Sequence, residues 1–325
     1  MSTTTKSTPT LVREARVKRP TYPQQWAAYN AAQTTEKQHV ADILRSLCDT
    51  IESLEQHKGR PRIPLGDLIF CATMKVYGTA SSRRTTTDLR EFEAKGYIDR
   101  APHFNVVLRT LDNPELTPIL KRLIEEAAMP LRGLESDFAV DSSGFSTRTF
   151  GRWFDHKYGK KSKGEWLWVK AHIMCGVKTN VVTSIELTSG YANDYPFLPS
   201  LVKSTASRFD VKEVSADKGY IGRSNVAAIG EVGAFPLIPF KARMNGRGDE
   251  LWRRTWAFQK TSPEEFGKHY HKRSNVETTF AMIKAKFGTY VRAKTQTAQM
   301  NEVLCKVLCH NLCCLIHAAY EPSVA

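Results

Sequence analysis

Residues 269–287, HYHKRSNVETTFAMIKAKF, hold one carboxylate, Glu277, among three lysines, one arginine and two histidines. A solvated helix face alternates its charges instead, with acids and bases paired one turn apart. At about 100° per residue, Tyr270, Arg273, Glu277 and Lys284 fall within an arc of about 60°. Val276, Phe280, Ile283 and Phe287 form the adjoining apolar stripe. A lone acid between buried and open surface, flanked by bases, suits a hard divalent ion. Arg273 and Lys284 suit phosphates, the first through its fork and the second as a point charge. Tyr270 can hydrogen-bond a phosphate or stack on a base.

Two more carboxylates, Asp141 in AVDSSGF and Asp217 in SADKGY, stand at the carboxyl ends of predicted strands. That edge is where open α/β sheets bind ligands. Three acids on separate elements can serve two divalent ions about 4 Å apart, which promote in-line displacement at phosphorus. Asp often simply begins a turn, so neither aspartate alone carries this reading.

The elements that must position these side chains have two textures. Residues 1–20 are Ser/Thr-rich and basic, and are expected to be a disordered tail. From 21 to 134 the apolar spacing is helical, with Val40, Ile43, Leu44, Leu47, Ile51 and Leu54 on one face. PLGDLIFCATMKVYG predicts a buried helix ending at Gly78. SSRRTTTDLREFEAKG opens with capping serines and closes at Gly96. Arg83 and Arg84 among these short helices fit a helix-turn-helix-like DNA reader, with a plain helical bundle as the alternative.

After Leu134 the period changes from 3.6 to 2. SDFAVDSSGFS predicts a strand ending in Asp141 and then a turn. EWLWVKAHIMCGVKTNVVTSIELTSG predicts two strands joined at Lys178 to Asn180. VKEVSADKGY and AFPLIPF add strands, while NDYPFLPSLVKSTASRF and GRSNVAAIGEV are helical. A polar basic segment then leads into one long helix from about Ser262. Residues 135–325 thus read as an α/β unit, a mixed sheet of about five strands with flanking helices.

Lys and Arg number 47 against 33 Asp and Glu, a net charge of +14. That excess implies a polyanionic partner, nucleic acid or an acidic membrane face. It gathers late in the chain: 13 bases face 5 acids in 241–294, against 20 and 16 in 1–135. Between Asp141 and the hairpin, Lys157, Lys160 and Lys161 interleave with Trp153, Phe154 and Tyr158. This suits a loop gripping a nucleic-acid backbone, or one that is merely solvated. No signal peptide is apparent, and LCKVLCHNLCCLIHAAY, broken by Lys306 and His310, is short for a membrane span. Seven cysteines without framework spacing imply a reducing compartment. Cys305, Cys309 and Cys313 share a helix face, a core position, with a zinc site as the alternative.

The spacing Y-x2-R-x3-E-x6-K, formed by Tyr270, Arg273, Glu277 and Lys284, resembles the YREK signature of DDE transposases from bacterial and archaeal insertion sequences. AVDSSGF and SADKGY are similar to the aspartate strands of those enzymes, and the hairpin and helix between them match in order. The resemblance implies an RNase H-like catalytic domain at 135–325 behind a helical DNA-binding domain at 21–134. It implies two Mg²⁺ or Mn²⁺ ions per site, held by Asp141, Asp217 and Glu277. Tyr270, Arg273 and Lys284 would grip the DNA end, and Lys272, Lys157, Lys160, Lys161, Arg83 and Arg84 are expected on DNA as well. It further implies cleavage of the element's ends, joining of 3′ hydroxyls to a target duplex, a homodimer on DNA, and a cytoplasmic, nucleoid-associated protein with no membrane partner.

Only 59 residues separate Asp217 from Glu277, which leaves no room for the large β-rich insertion of some relatives. Trp252 and Trp256 offer a stacking surface in its place, or ordinary helix packing. Two alternatives stand beside the transposase: a nuclease that does not join, and a catalytically silent DNA-binding regulator. Three intact acids argue against the last.

Overall fold

The computed structural model describes residues 26–52, 59, 61–147 and 168–320. The helical texture of the first part becomes α1 (Trp26–Asp49), α2 (Leu65–Tyr77), α3 (Thr85–Ala94), α4 (Phe104–Leu111) and α5 (Leu116–Ala128). The expected serine cap of α3 is corrected. Arg84 stands at the cap without a side-chain bond, and Ser81 contributes only its carbonyl, to the Thr85 N–H. The other end closes as expected, with Gly96 at φ +76° letting the Tyr97 N–H return to the Phe92 carbonyl.

A five-stranded sheet follows in the order β3-β2-β1-β4-β5. Its strands are β1 (Asp137–Ser146), β2 (Trp168–Gly176), β3 (Val182–Ser189), β4 (Glu213–Ala216) and β5 (Phe235–Leu237). β1, β4 and β5 run parallel, and β2 runs antiparallel to both of its neighbours, β1 and β3. This is the mixed α/β sheet that the RNase H-like reading expects. The hairpin turn is held from below by buried Glu135, which accepts from the N–H groups of Lys178 and Thr179 and from the Thr179 hydroxyl.

Alternation along β1 divides two cores. Ala139 and Phe145 pack with Val276, Phe280, Ile283 and Phe287 of α10 (Ser274–Phe287). Phe138 and Val140 pack on the other face with α6 (Leu198–Ala206) and α7 (Arg223–Glu231). The single long helix expected from Ser262 is corrected to α9 (Pro263–Tyr270), a 3-10 turn at His271–Arg273, and then α10. A further helix, α8 (Glu250–Thr261), lies within the segment read only as polar and basic. Asp249 caps it by accepting from the Trp252 N–H at 2.8 Å. Trp252 is buried edge-on against Phe240, so packing rather than stacking on a base is its role.

The last helix, α11 (Gln296–Tyr320), lies against α1, α2, α4, α5 and the sheet. By length and composition it could cross a membrane, being longer than the run read from sequence, but 72% of its apolar window is buried inside the protein. Its polar residues are matched to backbone groups of other elements. Asn311 donates to the carbonyls of Ile124 and Val182 and accepts from the Val182 N–H, and Asn301 donates to the carbonyls of Leu111 and Asn113. Cys305, Cys309 and Cys313 sit in this core, and burial pushes the thiols of Cys305 and Cys313 up to about 12 and 11.

Candidate active site

The register of β1 and β4 brings the two aspartates together. Asp137 pairs with Glu213, Ala139 with Ser215, and the ladder ends at Val140 with Ala216. Asp141 and Asp217 are the next residues, so they lie side by side where strands stand about 4.8 Å apart. The expectation that Asp141 ends its own strand is corrected: β1 runs on to Ser146, with Asp141 opposite Ile173 of β2. It is β4 that stops, and its stopping opens the edge.

Helix α10 crosses this face and carries Glu277. From the 3-10 turn before it, Arg273 donates to Asp141 Oδ2 at 3.0 Å and pairs with Glu277 on the next turn. Burial raises the Asp141 pKa; the Ser142 N–H and Arg273 oppose this, while Asp217 and Glu277 reinforce it. Asp217 stands beside Asp141 by strand register, and Arg273 links Asp141 to Glu277. Burial also raises the pKa of Tyr270, with Arg273 opposing and Asp217 and Asp141 adding, so its phenol remains a donor. Lys284 donates to Ser143 Oγ at 2.6 Å and lies over the Phe145 and Phe280 rings, where burial lowers its pKa.

Other expected DNA contacts lie elsewhere. Lys272 faces away from the triad, bridging Asp137 and Glu213 at 2.6 and 2.9 Å, so it fastens the 3-10 turn to the start of the sheet. This anchoring role stands beside its expected contact with DNA. Arg83 and Arg84 are exposed on the connection before α3, with Arg83 over the Phe104 ring. Lys157, Lys160 and Lys161 lie outside the described residues, as does the 1–20 tail.

One acid escaped the sequence reading. Asp194 stands across β1 from α10 and gathers the Ser142 hydroxyl at 2.8 Å, the Lys170 ammonium at 2.6 Å and His172 Nδ1 at 3.3 Å. The buried Tyr220 hydroxyl also faces this end of the strand, its pKa raised by burial and by Asp194 and Asp141. The available signal was weak: Lys170 and His172 share a face of β2 by alternation, but the loop carrying Asp194 has no periodicity.

The donors are carboxylate oxygens, the kind that Mg²⁺ and Mn²⁺ prefer. Asp217 caps the 218–220 turn without a side-chain hydrogen bond, which leaves its oxygens available. Among the described residues no three His, Cys, Asp or Glu side chains gather closely enough to hold an ion. Here the guanidinium of Arg273 lies between Asp141 and Glu277 as their cation. The donor set fits a divalent ion in kind, and closing around one requires Arg273 to release at least one acid.

Comparison with known families gives one match. Residues 132–312, more than half of the chain, match the family described as transposase DDE domain. The matched span contains every acid described above. No curated protein and no solved structure matches the chain.

Proposed function

This chain belongs to the transposase DDE-domain family, and from that premise we propose that it cuts the ends of an insertion sequence and joins their 3′ hydroxyls to target DNA. The observation that supports this reading is the β1–β4 register that sets Asp141 beside Asp217, together with the Arg273 bridge from Asp141 to Glu277 on α10. Asp141, Asp217 and Glu277 would hold Mg²⁺ or Mn²⁺, two ions per site, which supply Lewis acidity at the scissile phosphorus.

The protein's own groups position the substrate. Arg273, turning from Asp141, presents a planar fork to a phosphate. Lys284 offers a single ammonium three residues before the end of α10. Tyr270, kept protonated, donates to the same backbone. In the first displacement water attacks the phosphodiester and a 3′ hydroxyl leaves; in the second, that hydroxyl attacks a phosphodiester of the target, and the target strand's own 3′ hydroxyl leaves. The net charge of +14 favours DNA as the partner. A homodimer would hold two ends together at the nucleoid.

One observation favours a second reading. The ion pairs of Arg273 with Asp141 and Glu277 would suit a silent DNA-binding regulator that keeps its acids neutralised. Cleavage of the DNA flanking the gene, with Mg²⁺ or Mn²⁺, separates the two when wild type is run beside Asp217→Ala and Glu277→Ala. Metal-dependent nicking at the ends, lost in both variants while binding persists, supports the transposase. Binding without cutting under either metal supports the regulator. Cutting without transfer to a supplied target duplex leaves a nuclease.

A further inference from the structure

The face of β1 that carries Asp141 and Ser143 continues past Lys284. Ser146 donates to the Thr289 carbonyl at 3.0 Å and accepts from the Val291 N–H at 2.8 Å, so residues 289–291 run beside the strand's end. Where this segment meets the end of α2, two adjoining cavities of about 250 and 400 Å³ open between them. Lys75 and Arg292 line both, and Lys294 lines the larger.

Lys75 is only 5% exposed, yet it has no hydrogen bond or ion pair among the described residues. Nearby Glu302 is buried, and its oxygens accept the N–H groups of Arg292 and Ala293. Asp112, on the rim of the larger cavity, pairs with the Thr295 hydroxyl. Buried Lys306 donates to the carbonyls of Gly288 and Tyr290. Burial lowers its pKa to about 8, Glu302 opposing and Arg292 and Lys75 adding. Three cations thus surround one carboxylate whose oxygens are already engaged. The Lys75 side chain opens on both cavities with no carboxylate of its own, so an anion in the groove would be its partner.

The cations also form a track. Arg273 stands at Asp141, Lys284 at Ser143, and Lys75 with Arg292 beyond Ser146. Asp141 to Ser146 spans roughly 17 Å of strand, or about five base-pair rises along the axis of a DNA duplex. We propose that this groove binds a backbone phosphate of the DNA entering the triad, about five nucleotides from the scissile bond, through Lys75 and Arg292. The inference rests on the reading of the triad as a DNA-cutting site.

The test uses the full chain without divalent metal and a duplex carrying the element's end. Anisotropy at several salt concentrations compares wild type, Lys75→Met and Arg292→Gln. The slope of log affinity against log salt is expected to shrink by about 0.9 for each lost contact. A neutral methylphosphonate about five nucleotides from the cut should weaken binding by wild type and leave Lys75→Met unaffected. Lys75→Met should melt at or near the wild-type temperature, since it removes no hydrogen bond or ion pair. An unchanged slope with retained methylphosphonate sensitivity overturns the groove alone, as does a large drop in melting temperature, which would make Lys75 structural. Failure of wild type to bind the end at all sinks the functional reading and this one with it.

Discussion

Arg273 and Asp141 are joined at 3.0 Å across the face of the sheet, and the other arm of the same guanidinium pairs with Glu277. One side chain thus neutralises two of three acids, in the place a divalent ion would take. Arg273→Gln should therefore act in two directions. DNA affinity falls, while Mn²⁺ affinity of the DNA-free protein rises on the order of tenfold, about 1.4 kcal/mol. Calorimetric titration with Mn²⁺ reads this directly, and equal affinity in both proteins would mean that Arg273 does not compete with the ion.

Lys272, one residue earlier, has the opposite assignment. Asp137 and Glu213 are register partners on β1 and β4, and the Lys272 ammonium lies between them. Lys272→Met leaves two carboxylates facing each other on a partly exposed surface. The expected loss is about 1 kcal/mol of stability, with unchanged affinity for element-end DNA. Reduced affinity at an unchanged denaturation midpoint would return Lys272 to the DNA surface.

The Tyr270-Arg273-Glu277-Lys284 stripe was legible because the 3-10 turn hardly disturbs the helical course. Tyr270 and Arg273 keep right-handed helical angles, φ −63° and ψ −35° for the first and φ −53° and ψ −32° for the second. Asp217 was legible because the apolar run before it is short and ends cleanly. Asp141 was found for a partly mistaken reason, since its strand continues and its neighbour's does not. The Lys272 bridge and Asp194 were missed because their partners are set by strand register and by a loop, and neither leaves a local pattern. The α8 helix had its Asp249 cap signal, but Arg253, Arg254 and Lys260 hid the apolar face.

Two buried histidines should give acid sensitivity. Burial holds His172 at about 4 from an ordinary 6.5, with Asp194 opposing and Lys170 adding. His310 is held at about 4 by burial, against its bond to the Asn180 carbonyl. Both stay neutral in the fold, while the unfolded chain takes up protons below pH 6.5. Stability is therefore full above that pH and falls between 6.5 and about 4, by about 1.4 kcal/mol per pH unit for each histidine. Urea unfolding at pH 7 and pH 5 measures the slope. His172→Gln should reduce it by one histidine's share, and an unchanged slope would show that His172 titrates normally.

The hairpin that flanks β1 depends on a glycine. A Cβ on Gly176 would fall on the Glu135 carboxyl group. Glu135 cannot move aside freely, because it is buried and accepts three hydrogen bonds from Lys178 and Thr179 at the turn. Gly176→Ala must therefore either strain β2 or break that cap. The expected cost is about 1–3 kcal/mol, read as a lower urea midpoint. Glu135→Ala removes the obstacle but also the acceptor, leaving N–H groups of the turn unpaired. The double variant should then be no less stable than Glu135→Ala alone. If adding Gly176→Ala to Glu135→Ala still lowered the midpoint by the same amount, the glycine would be needed for its backbone rather than for the room it leaves to Glu135.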